Sequence, residues 1–219
     1  MHRPEFIARQ GRRPTGLLGE IVARIMAHET AAENRVALEL LDLQASDQVL
    51  EVGCGHGRAL ATAADTITDG FLAGVDHSNV MLRIARSRNA GLLRSGRMEL
   101  TLGDSEHIPY PDGRFNKAFT VHTIYFWSDP KRQIEEISRV MSNEARLVIG
   151  YRPSDDGGLV NEFPASIYAI RSIREVENLV AQAGLRTMKT ITRRLSSNLL
   201  AWTVAYKILA EAGGAQGSR

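Results

Sequence analysis

The sequence of 219 residues has a single cysteine, Cys54, so an intramolecular disulfide is excluded and no zinc site can be drawn from thiolates. That usage fits a reducing, cytoplasmic setting. No apolar run approaches the roughly 20 residues of a membrane span. The polar start Met1-His2-Arg3-Pro4-Glu5 lacks the apolar core of a signal peptide, and stable membrane insertion is not expected. Net charge is only +2, too small to call for a polyanionic partner of the whole chain. A local excess of arginine (Arg3, Arg9, Arg12, Arg13, Arg24) reads as a solvated basic arm. There is no internal repeat and no low-complexity domain.

What is present is alternation. Apolar positions at helical spacing predict amphipathic helices over 17–26 and from Ala31 through Leu41. Strands are predicted over 48–52, 71–75, 98–102, 117–123 and 146–151, with helices over 58–68, 79–93 and 130–141 between them. Ser78 is placed to cap the second of these helices and Pro130 opens the third. Residues 108–113, Ile-Pro-Tyr-Pro-Asp-Gly, read as a loop. This order suits right-handed crossovers and a parallel sheet. The last third differs: a helix over 173–183 is followed by strands over 185–192 and 199–208, most simply an antiparallel hairpin. Residues 1–45 are expected to form a helical cap or lid, 46–210 the main domain, and 211–219 a disordered tail.

In an open doubly wound sheet, ligands sit beyond the carboxyl ends of the strands, and the polar residues of interest fall there. Val49-Leu50-Glu51-Val52-Gly53-Cys54-Gly55-His56-Gly57 closes the first strand, Asp76 the second, Asp104 the third, and His122 to Tyr125 the fourth. Alternate glycines let a ligand approach the backbone and permit positive φ. Asp76 lies about 20 residues beyond them, where a carboxylate can accept hydrogen bonds from both ribose hydroxyls. A dinucleotide fingerprint needs another glycine where Arg58 stands, and a P-loop needs a Gly-Lys-Ser/Thr that is missing.

With Gly74-Val75-Asp76-His77-Ser78, Met81, the run from Gly103 to Phe115 and Ile137-Ser138-Arg139-Val140, these residues resemble the Rossmann-like, class I S-adenosylmethionine-dependent methyltransferases, and within them the small-molecule, ubiquinone-type branch. The resemblance covers about 47–152. It implies an α/β three-layer sandwich on a seven-stranded, mostly parallel sheet with an antiparallel C-terminal hairpin. It also implies S-adenosyl-L-methionine as methyl donor, S-adenosyl-L-homocysteine as product, and a small-molecule acceptor, without nucleic acid and with a homodimer left open. By the same resemblance Gly53, Cys54 and Gly55 take the methionine part along their backbone and Glu51 its ammonium. Asp76 holds the ribose, His77 and Met81 flank the adenine, and Asp104 with Ser105 reads its edge. His122 sits under the sulfonium. One departure is Met141-Ser142-Asn143-Glu144-Ala145, where the family often has a Pro-Gly-Gly turn.

Methyl transfer is an in-line displacement, so alignment and exclusion of water can do most of the work. If a base is needed, His122 is the best-placed candidate, with Tyr125 beside it to orient substrate. His56 reads as a loop residue and the Cys54 side chain as packing. The acceptor pocket is expected between helix 17–26, the segment from His122 to Trp127 and the loop from Pro153 to Tyr168, with Tyr125, Phe126, Trp127, Phe163 and Tyr168 as its rings. Two other activities fit the same fold: an aminopropyltransferase, and a cofactor-binding partner subunit without catalysis. The first would call for acidic residues in Thr123-Ile124-Tyr125-Phe126-Trp127, which has none.

Overall fold

Val49, Leu50 and Val52 are all buried, so the first strand is covered on both faces and must lie centrally between two layers. In the computed structural model, which describes Glu5 and residues 30–156, 164–195 and 198–208, this is what is found. Helix α1 (Ala31–Leu41) leads into β1 (Gln48–Val52), α2 (Arg58–Ala63), β2 (Phe71–Asp76), α3 (Asn79–Arg88), α4 (Ala90–Arg94) and β3 (Met98–Leu102). Then follow β4 (Phe115–Val121), α5 (Pro130–Val140), β5 (Met141–Tyr151), α6 (Ile173–Gln182), β6 (Leu185–Leu195) and β7 (Asn198–Lys207). The seven strands are ordered β3-β2-β1-β4-β5-β7-β6. Neighbours from β3 to β5 pair in parallel, and β7 is antiparallel to both β5 and β6. Strand order therefore reverses between β1 and β4, and a ligand cleft belongs at their carboxyl ends.

Two apolar layers sandwich the sheet. Leu50, Val75, Ala118 and Ile149 face Ile134 and Ile137 of α5 and Val176 and Val180 of α6. On the other face Val49, Leu72, Phe119 and Val148 meet Leu41 of α1, Leu60 of α2 and Leu82 of α3. Helix α1 thus packs on the sheet itself. Trp202 of β7 lies across Gly150, where any Cβ would stand 3.0 Å from the indole, and its Nε1–H donates to the Glu33 carbonyl at 3.2 Å. Arg146 and Lys117 donate to the Leu40 and Leu41 carbonyls at the other end of α1.

Four expectations are adjusted. The helix after the glycine turn stops at Ala63, because the next amides fold back in a tight turn, Asp65 N–H to the Thr62 carbonyl and Thr66 N–H to Ala63. Helix 79–93 divides at Asn89, whose carboxamide donates to the carbonyls of Ala85 and, across the fold, of Gly57. Strand β4 runs over Phe115–Val121 instead of 117–123, since His122 turns out of it at φ 60°. Strand β5 begins at Met141, directly after α5, and residues 141–145 join the sheet through a register shift between Phe115 and Lys117. Glu144 there takes φ 60°, the conformation a glycine would otherwise supply. The helix at 17–26 and the tail at 211–219 lie outside the described residues.

Candidate functional site

A cleft of about 740 Å³ opens at the carboxyl ends of β1 to β4, within the range of small-molecule and cofactor sites. Glu51, Gly53, Cys54, Gly55, Asp76, His77, Met81, Asp104, Ser105 and His122 all line it. Tyr125 does not; it is buried behind His122, with its hydroxyl 3.0 Å from His122 Nδ1. Phe126 and Trp127 reach the cleft wall, joined by Ser166 and Ile167 from the opposite loop. Tyr168 packs edge-on against Phe126 with centroids 4.8 Å apart, and Phe163 lies outside the described residues.

The glycine turn is built by β2. Gly53 and Cys54 donate their amides to the Val75 carbonyl at 2.8 and 3.1 Å, and Gly55 donates to Asp76 Oδ2 at 2.8 Å. The Ser78 amide donates to Asp76 Oδ1, also at 2.8 Å, while the Ser78 hydroxyl caps α3 by accepting from Met81 N–H. Asp76 is thus locked between the turn and the next helix. Each oxygen carries one backbone donor, which leaves about two of a carboxylate's roughly four acceptor positions. No heavy atom lies within 4 Å of where a Cβ on Gly55 would stand, so that side of the turn is open.

Glu51 is only 4% exposed, and its Oε2 has no hydrogen-bond partner. Burial, with the nearby Asp76 carboxylate, pushes its pKa well above the ordinary range. A buried acid without a partner, facing a cleft, fits a cationic ligand group, which would relieve both effects. Asp76 is likewise raised by burial, against the pull of its two backbone donors and His77. Burial also raises the Cys54 thiol well above its usual value, so it is no nucleophile at neutral pH.

Asp104 stands at the cleft mouth in a tight turn, its Oδ1 accepting from the Glu106 amide at 2.9 Å. The loop beyond is latched to α5. Glu136 accepts from the Ile108 amide at 2.8 Å, and Arg139 donates to the Ile108 and Tyr110 carbonyls, each at 3.0 Å. The Glu136–Arg139 pair itself is closed at 2.8 Å. Arg139, with Glu136, therefore holds the loop that follows Asp104 and Ser105.

His56 also lines the cleft and is buried. Its Nδ1 accepts from Arg58 N–H at 3.2 Å and faces Arg88 Nη1 at 2.9 Å, which places the ring proton on Nε2. Burial first, then the charges of Arg88 and Arg58, lowers its pKa from 6.5 to about 4. An unfolded histidine takes up a proton below about pH 6.5, and this one does not until about pH 4. Stability should therefore fall as pH drops through that window, by about 2 kcal/mol between pH 7 and pH 5 from this group. His56→Asn keeps an acceptor near the Nδ1 position and cannot titrate. Urea unfolding of both proteins at pH 7 and pH 5 should show the wild type losing about 2 kcal/mol more than the variant; equal losses would refute the assignment.

Sequence reasoning missed Glu33, Thr30, Asn34, Arg152 and Gln133. Thr30 and Asn34 of the α1 end line the cleft, and Gln133 of α5 enters it with an unpartnered Oε1 at 3% exposure. Glu33, 5% exposed, accepts from His122 Nε2 and has Arg152 Nη2 3.7 Å from its other oxygen. No local pattern singles out these residues, because each acts across more than one element.

Residues 50–149 match the model of a family described as a methyltransferase domain. An O-methyltransferase of Pyrenophora dematioidea is 27% identical over 172 residues, covering 74% of this chain and 64% of that protein. The 27-O-demethylrifamycin SV methyltransferase of Amycolatopsis mediterranei is 27% identical over 154 residues, covering 67% and 56%. The chain thus spans about three fifths of the length of these relatives. The crystal structure of a SAM-dependent methyltransferase from Aquifex aeolicus superposes with a TM-score of 0.70 at 22% identity, covering 86% of this chain and 98% of that one. The chain therefore carries, over residues 50–149, a match to the methyltransferase domain family, and its sheet has the fold of that structure.

Proposed function

We propose that the protein transfers a methyl group from S-adenosyl-L-methionine to a small-molecule acceptor. The observation that carries this reading is the convergence of Glu51, Asp76 and Asp104 on one cleft, with Glu51 buried and lacking a partner for Oε2. When bound, S-adenosyl-L-methionine supplies a methyl on a positively charged sulfur, open to in-line displacement. Glu51 would take the ammonium, the backbone of Gly53, Cys54 and Gly55 would run beside the methionine part, and Asp76 would hold the ribose hydroxyls. His77 and Met81 would flank the adenine, with Asp104 and Ser105 at its edge. His122 would stand near the reacting centre.

Phe126, Trp127 and Ile167 give the acceptor side an apolar wall that excludes water and favours a small, partly apolar substrate over nucleic acid. The activities named for the Pyrenophora and Amycolatopsis relatives favour oxygen as the methylated atom. Among the described residues no helix is long and apolar enough to cross a membrane. A cytoplasmic setting and a homodimer remain part of this proposal. Isothermal calorimetry with S-adenosyl-L-homocysteine is the direct test. Saturable one-to-one binding is expected, and absence of heat with both donor and product would end this reading.

A further inference from the structure

We propose that Glu33 is a positioning residue for His122, fixing the ring orientation and the tautomer that carries the ring hydrogen on Nε2, with Nδ1 turned to the Tyr125 hydroxyl. The use of this fixed ring in methyl transfer rests on the function proposed above; the tautomer itself does not.

The Glu33 carboxylate faces His122 Nε2 and, when ionised, can only accept, so Nε2 carries the ring hydrogen and donates to Glu33 Oε2. In the neutral ring Nδ1 then has no hydrogen and accepts from the Tyr125 hydroxyl, 3.0 Å away. The Tyr125 oxygen in turn accepts from the Arg152 amide, which leaves its own hydrogen for Nδ1. Burial would push the Glu33 carboxyl up, but the hydrogen bond and charge of His122, with Arg152, outweigh it, and the group sits below its ordinary value. An ionised carboxylate can only accept, in agreement with the direction of that bond. The charged and titratable groups facing the ring are Glu33 from α1, Tyr125 from its own loop and Arg152 from the end of β5.

Position supports the assignment independently. His122 has φ 60°, uncommon for a residue with a side chain, and its amide donates to the Gly150 carbonyl at 2.9 Å. Residues held in sparsely populated backbone regions persist where their surroundings over-determine them, and they cluster at functional sites. The ring at this turn lines the cleft while Glu33 and Tyr125 grip it from behind. Both ring nitrogens are thus engaged away from the cleft, and the ring is held in one orientation as part of the cleft wall.

The test needs no acceptor. With 15N-labelled histidine, long-range 1H–15N spectra separate the ring nitrogens, and the His122 signals are those lost in His122→Asn. The wild type should show Nε2–H as the sole neutral tautomer. Glu33→Ala, which removes the acceptor, should let a second, Nδ1–H tautomer appear, with the Tyr125 oxygen accepting from it, while Glu33→Gln, which keeps size and one acceptor oxygen, should hold Nε2–H in the majority. An Nδ1–H tautomer in the wild type, or an unchanged sole tautomer in Glu33→Ala, would overturn the proposal. Failure to bind donor or product in calorimetry strikes the methyltransferase reading instead and leaves these spectra as they are.

Discussion

Asp76→Ala should lower the affinity for S-adenosyl-L-homocysteine about 100-fold, near 2.7 kcal/mol, with the protein still folded at pH 7. The carboxylate is expected to contribute twice. Its open acceptor positions hold the proposed ribose hydroxyls in charge-assisted bonds, each stronger than a neutral one. Its other positions accept the amides of Gly55 and Ser78, which shape the turn that faces the methionine part. Alanine removes both. Asp76→Asn separates them: its carbonyl can still take one amide, whereas its NH2 opposes the other, so a loss of about tenfold is expected. Calorimetry on the two variants reads the difference. Wild-type affinity in Asp76→Ala would show that the ribose is held elsewhere.

Gly53→Ala should destabilise the fold by about 3 kcal/mol, with cofactor binding lost alongside. Gly53 has φ 75°, which costs a residue with a Cβ roughly 1–2 kcal/mol. The added carbon would also stand 2.3 Å from Thr123 Cγ2, an overlap that forces something to move. Thr123 has little room to yield. Its hydroxyl is bonded to that of Thr120, which bonds the Val52 carbonyl at 2.8 Å. The two costs can be told apart by adding Thr123→Ser, which deletes the clashing methyl and keeps the hydroxyl. The double variant should recover about half of the loss in urea unfolding. If Gly53→Ala unfolds within about 0.5 kcal/mol of the wild type, neither the backbone angle nor the contact is as described.

Much of this was legible in the sequence because it is local. Short apolar-rich strands bounded by turn residues can be read locally, and β1 to β3 fall within about one residue of the expected bounds. The acids at their ends follow from where each run stops, so the proposed cofactor residues come together on one cleft. Legibility failed where a bond between distant elements overrides local preference. Asn89 ends α3 because its carboxamide is recruited by the Gly57 carbonyl, 32 residues away. Glu144 takes a glycine's backbone angle where β5 starts. Glu33 meets His122 across 89 residues, and in sequence it is one more acid in the first turn of an amphipathic helix. The acceptor side is less legible for a related reason. Phe126, Trp127, Ser166 and Ile167 come from separate loops whose residue types do not announce a common surface.

The indole bond from Trp202 to the Glu33 carbonyl spans 169 residues and joins the first described helix to the last strand. During synthesis the glycine turn and its acids can assemble as soon as β1 to β4 leave the ribosome. The helix that carries Glu33 gains this brace only once β7 has been made. Such long-range closures are slow, since loop entropy must be overcome before the contact rewards it. A nascent chain would thus own its donor-binding half early and gain the Trp202 brace on the helix of Glu33 last.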